Sequence, residues 1–159
     1  LVDLSALSRI AMERCASARC AVELMGRVGE AYGYYGADLS VVENGESLSV
    51  SDKDEVWVFH ILPDDTERSA VWAAQRVPDG HITVVANEFI IREMPDEALT
   101  GLGTLERDAT GFDDTQANIT DVFRASASLR DVADRNNLTA LGPNGHIDFL
   151  KTFGARDPA

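Results

Sequence analysis

Basic residues are scarce. Lysine and arginine number 14 against 27 aspartates and glutamates in 159 residues, which leaves a net charge of −13. That surface excludes nucleic acid and acidic membranes as partners, because both recruit basic patches. It leaves small neutral or zwitterionic substrates open. Cysteine is nearly absent, with only Cys15 and Cys20. An isolated pair is no disulfide framework. Five residues apart on one helix, the two would point about 140° away from each other, which predicts two unbridged thiols. A reducing, cytoplasmic setting is the default that follows. No stretch reaches the ~18 consecutive apolar residues of a membrane span. The start, Leu1-Val2-Asp3, has neither a signal-peptide pattern nor a methionine, which predicts a chain that begins inside a longer protein. Asn118-Ile119-Thr120 and Asn137-Leu138-Thr139 are glycosylation triplets, which count only in a secreted protein.

Catalytic and cofactor motifs are missing as well. There is no phosphate loop, no Cys-x-x-Cys, no His-Glu-x-x-His and no Gly-x-Ser-x-Gly. The three histidines, His60, His81 and His146, are scattered. His60 lies inside an apolar run and reads as a hydrogen-bonded core histidine, while His81 follows a turn and reads as exposed. The acidic groups Asp52, Asp54 and Glu55, and Asp64 and Asp65, lack calcium-loop spacing and read as solvated turns. No metal and no cofactor is expected.

What is present is a clear order of elements. Leu4, Leu7, Ile10, Ala11 and Cys15 recur at helical spacing, so a first helix should end near Cys15-Ala16. Ser17 is a good N-cap for a second, with Ala21, Leu24, Met25, Val28 and Tyr32 as its stripe and Gly33 as its stop. The pair should form a helical hairpin that covers a sheet. Ser47 to Ser51 alternates, with Leu48 and Val50 on one face, and Ser51 to Asp54 turns. Val56 to Leu62 is nearly all apolar, which implies burial on both faces. Ala70 to Val77 reads as a third strand, Pro78-Asp79-Gly80 as a turn and Ile82 to Ala86 as a fourth strand. Short connections make these an antiparallel meander.

Beyond Glu88 the chain changes. Pro95 to Asp114 is polar and weakly periodic. Leu129, Val132 and Ala133 suggest a short helix stopping at Asn136-Asn137, Pro143 to Gly145 a turn, and Ile147 to Phe153 a last apolar segment. The fold class is α+β, divided as a helical hairpin over 1–36, strands over 46–87 and an irregular, helical extension over 88–159. Trp57 and Trp72 should fill the space between sheet and helices. Asn87, a carboxamide at the end of an apolar strand, either bonds a neighbouring turn or faces a cavity and holds a substrate carbonyl.

The segments "MERCASARCAVELMGRVGEAYGYYG", "SLSVSDKDEVWVFHI", "AVWAAQRVPDGHITVVANEFIIREM" and "DVADRNN…IDFLKTF" follow the order found in the C69 dipeptidases, which this sequence resembles over nearly its whole length. These are N-terminal-nucleophile hydrolases related to the secernins, and more distantly to penicillin V acylase and bile-salt hydrolase. The most specific matches are Ser51-Asp52 with Glu55-Val56-Trp57, the run Trp72 to Gly80, and Ala86-Asn87. The resemblance implies a four-layer αββα fold and an N-terminal cysteine that attacks a substrate amide, with its own α-amine, of pKa about 8, as base. Asn87 matches the asparagine that points into the active site of the wider superfamily, where it would stabilise the oxyanion or position the substrate. Glu55, Trp57 and Arg76 match motif positions and are the candidates for substrate binding. Glu55 or Arg76 is also a candidate for a buried ion pair between strands, and Trp57 for lining a pocket.

The departures are informative. The family nucleophile lies upstream of its helical hairpin, and neither Cys15 nor Cys20 matches it. Cys20 stands where relatives often carry a glutamate that completes a capping box with Ser17. The expectation is therefore a middle piece of a cysteine-type dipeptidase, inactive alone, acting on short unblocked peptides. Its partners would be that peptide substrate, the remainder of the same polypeptide and, as an option, a second copy, without nucleic acid or membrane. The alternative is a secernin-like, non-catalytic interaction protein of the same fold.

Overall fold

Two helices open the chain. The computed structural model describes residues 1–36, 45–99 and 122–154. Helix α1 spans Leu4–Arg14 behind an Asp3 cap whose carboxylate accepts the Ala6 N–H at 2.7 Å. Helix α2 spans Ala18–Tyr32; Ser17 caps it as expected, its Oγ accepting the Cys20 N–H at 3.2 Å. Gly33, at φ +75°, ends it. A parallel bridge between Val2 and Tyr34 closes the hairpin at its open end.

Strands β1 (Glu46–Ser51), β2 (Val56–Pro63) and β3 (Ala70–Arg76) form the anticipated antiparallel meander. Trp57, Phe59, Ile61, Ala70, Trp72 and Ala74 face α1 and α2 in one core. Val71 and Ala73 face a second core built from the rest of the chain. The central strands are thus buried on both faces, which is why Val56 to Leu62 carries almost no polar residue. The second core is closed by β4 (Glu93–Met94), a 3₁₀ turn over Asp96–Leu99, β5 (Phe123–Ala125), α3 (Leu129–Arg135), β6 (Ile147–Asp148) and α4 (Phe149–Phe153). The main sheet runs β1-β2-β3-β5, and β4 and β6 pair separately.

The fourth strand does not form. The turn does: the His81 N–H donates to Pro78 O at 3.1 Å, and Gly80 takes φ +76°. Ile82 to Ala86 then runs outward without joining the sheet, leaving Ile82 93% and Val84 72% exposed. The reason lies in the sheet edge. A hairpin partner would have to pair beside β3, but β2 occupies one edge and β5 the other, with Ala73 opposite Ala125 and Gln75 opposite Phe123. β5 arrives from far along the sequence, so local turn chemistry gives no warning of it. Of the polar stretch Pro95 to Asp114, the part from 100 onward lies outside the described residues, as does the triplet at 118–120.

The buried stripe of α2 is also rotated from the expected one. Ala18, Ala21, Val22, Met25, Gly26 and Gly29 face inward, while Tyr32 is exposed and Leu24 only half-buried. The glycines decide this. A Cβ on Gly26 would stand 2.5 Å from Cδ2 and Cζ2 of Trp72 and closer still to Cε2. The helix presents a bare strip of backbone to the indole, with Val22 and Met25 buried in the same core. Gly26→Ala should therefore destabilise the chain by about 2 kcal/mol. The overpacking penalty of up to ~3 kcal/mol outweighs the ~1 kcal/mol that alanine gains in helix propensity. Urea unfolding of the two proteins measures it, and a stabilised variant would contradict this packing.

Candidate functional site

The motif Ser51 to Trp57 folds onto the start of α2. Asp52 Oδ1 accepts the backbone N–H groups of Asp54 and Glu55 at 2.7 and 2.8 Å, which forms the turn between β1 and β2. Its Oδ2 accepts the Ala18 N–H at 2.7 Å. One carboxylate therefore shapes a turn and caps a helix whose first amides lack partners of their own. These bonds, Ala18's first, hold its pKa below the usual carboxylate range. Glu55 accepts from Arg19 Nη2 at 3.0 Å and from the Trp57 indole N–H at 2.5 Å. The Arg19 guanidinium lies over the Trp57 ring, 5.8 Å from its centroid.

Three candidate substrate-binding residues are thereby placed. Trp57 is fully buried in the helical core, and Glu55 joins strand to helix instead of strand to strand. Arg76 pairs with Asp79 of its own turn at 2.8 Å, a partly exposed contact and not a buried bridge. Asn87 is separate from all three. It is exposed, at φ +57°, on the outward segment after the turn, not at the end of a buried strand.

The cysteines are a correction. Cys15 and Cys20 form a disulfide, with Cα atoms 5.5 Å apart. The expectation of unbridged thiols assumed one continuous helix. Cys15 is instead the extended residue after α1, and the chain turns through Ala16 and Ser17 before α2 begins. That corner brings the two β-carbons together. With both sulfurs paired, a reducing setting no longer follows from the cysteines.

Two polar clusters lie deeper. His60 is wholly buried, with ring centroids of Phe89 and Phe149 at 4.9 and 5.8 Å. Its Nε2 accepts the backbone N–H of Ile90 at 3.0 Å and of Ile91 at 3.4 Å, so the ring proton sits on Nδ1. That proton is donated to Ser47 Oγ at 2.7 Å. A base that already carries its proton on the side facing the serine cannot take another from it, so Ser47 and His60 are no nucleophilic pair. Desolvation lowers the pKa of His60 to about 4. The core-histidine reading of the sequence therefore holds.

The second cluster is a buried ion pair. Arg124 Nε on β5 meets Glu23 Oε1 on α2 at 2.6 Å, with the two side chains 11% and 4% exposed. Desolvation raises the Glu23 pKa; Arg124, Arg27 and Arg19 oppose it. Glu30, about two turns on, is also raised by burial. Sequence reasoning missed this cluster. Its signal was available in Arg19, Glu23, Arg27 and Glu30, a charged row at helical spacing on a helix otherwise read by its apolar stripe. Among the described residues no group of acids, histidines or cysteines has a geometry that holds a metal ion, and no helix is long and apolar enough to cross a membrane.

These elements define an α+β protein, a helical hairpin on an antiparallel sheet. The model of peptidase family C69 matches residues 2–158, and the chain belongs to that family, which places it among the hydrolases of peptide bonds. No solved structure matches it.

Proposed function

We propose that this chain is the middle portion of a cysteine-type dipeptidase of four-layer αββα fold, in which an N-terminal cysteine outside the chain cleaves short unblocked peptides. The observation that carries the reading is the family match over 2–158 together with the disulfide, which consumes both cysteines of this chain. In this reading the thiol nucleophile is a cysteine other than these two, from elsewhere in the protein. Its thiolate attacks the peptide carbonyl, and the tetrahedral oxyanion collapses to a thioester as the amine departs with a proton. Water then releases the acid. Asn87, whose side chain is exposed, is the residue that the resemblance to the family makes the donor to such an oxyanion. Glu55 and Trp57 instead tie the β1–β2 turn to α2, and Arg76 holds the turn that follows β3.

The test uses the full-length gene product. Intact mass identifies a processed N-terminal cysteine, and a panel of unblocked dipeptides is assayed for hydrolysis. A correctly processed enzyme that cleaves none of them ends the dipeptidase reading and leaves a non-catalytic binding role. In an active enzyme, Asn87→Ala should lower kcat by on the order of 10²-fold, the usual effect of losing an oxyanion donor. An unchanged kcat removes Asn87 from the site.

A further inference from the structure

The Cys15–Cys20 disulfide joins two helix ends of opposite polarity. Cys15 follows the last residue of α1, and its N–H donates to Ala11 O at 2.9 Å. Its sulfur therefore lies at the carbonyl end of an eleven-residue helix. Cys20 is the third residue of the fifteen-residue α2, at the amide end. Helix amide ends stabilise a thiolate and carbonyl ends disfavour one. Both residues are half-buried, so a small reagent has access. The corner has other anchors: the Ser17 and Asp52 caps of α2, the Arg19–Glu55 bridge, and Leu7 and Ala11 of α1 in the core.

We propose that Cys15–Cys20 is a polarised, reversible redox clip on the α1–α2 corner. A thiolate of a small dithiol attacks Sγ of Cys15, and the electron pair of the S–S bond leaves on Sγ of Cys20, the better leaving group. The mixed disulfide on Cys15 is resolved by the second thiolate of the reductant, which departs as its cyclic disulfide. The Cys15 thiolate so released takes up a proton. Two electrons pass to the protein, and a low-molecular-weight disulfide reverses the exchange. Opening the clip frees the corner, while the caps hold α2 on the sheet.

The experiment alkylates the reduced chain with limiting iodoacetamide near neutral pH. Trypsin cuts after Arg14 and Arg19, so each cysteine falls in its own peptide. The expected result is modification of Cys20 ahead of Cys15 by on the order of tenfold. Equal rates, or Cys15 first, overturn the proposal. So do two free thiols in protein purified without reductant. A reduced chain that unfolds would also react equally at both positions and would overturn it by showing that the caps do not hold. Cys15→Ser and Cys20→Ser give the independent reading by thiolate absorbance against pH. The thiol of Cys20 should titrate below that of Cys15, and the reverse order rejects the polarity.

Discussion

Arg124→Met should cost the fold about 3 kcal/mol at neutral pH. The residue it strands is Glu23, 3% exposed on α2. Removing one partner of a buried pair leaves an uncompensated charge, typically a loss of ~3–5 kcal/mol. The low end applies because Arg27 and Arg19 still oppose the burial of Glu23. The loss should also depend on pH. Burial already raises the folded pKa of Glu23 above its unfolded value. Such a carboxyl favours the fold below the unfolded pKa and withdraws that contribution as pH rises through the folded value. Without Arg124 the folded pKa rises further, so the variant should be most impaired near pH 7 and approach the wild type in acid. Glu23→Leu with Arg124→Met removes both charges. Its stability should return to within about 1 kcal/mol of wild type, as it does when buried pairs are replaced by packed apolar groups. Urea unfolding at two pH values checks all three proteins. A double variant as unstable as the single one would show that the pair contributes through something other than charge.

The same pair shows what was legible in the sequence. Helices α1 and α2, the Ser17 cap, strands β1 to β3 and α3 follow from patterns within a dozen residues, and they stand where periodicity and turn chemistry put them. What stayed hidden depends on elements that meet only in the fold. Ile82 to Ala86 has every local mark of a strand, yet β5 already holds the edge it needed. The need for glycine at position 26 is invisible until Trp72 is placed against it. Cys15 and Cys20 look divergent along one helix axis and meet at a corner between two. The site followed the same division. Asp52, Glu55 and Trp57 stood out as a motif, but their work, tying a strand turn to a helix start, needs the distance between Ala18 and Asp52 to be visible. Asn87 stood out as a polar residue after an apolar run. The structure keeps it exposed and removes the strand that was to bury its neighbours.

His60 supplies the second large effect, as a loss of stability in acid. Its folded pKa is about 4 against an ordinary 6.5, because the buried ring has no carboxylate to offset desolvation of the cation. A histidine whose pKa falls on folding favours the native state above the unfolded pKa. That contribution is lost as pH drops from 6.5 toward 4, since the unfolded chain takes up a proton that the folded one refuses. At 1.36 kcal/mol per pH unit the window is worth about 3 kcal/mol. The geometry requires this sign. A proton on Nε2 would oppose the Ile90 and Ile91 N–H groups that now donate to it. Its charge would also sit between the rings of Phe89 and Phe149 in a dry core. His60→Gln keeps an acceptor near those amides and cannot titrate. It should be less stable at pH 7, but its unfolding free energy should fall by about 3 kcal/mol less between pH 7 and pH 4. Taking the difference between the two proteins cancels the opposing contributions of Asp52 and Glu23. The carbon-bound imidazole proton of His60 in NMR gives the direct measure, and a titration midpoint near 6.5 in the folded chain would refute the assignment.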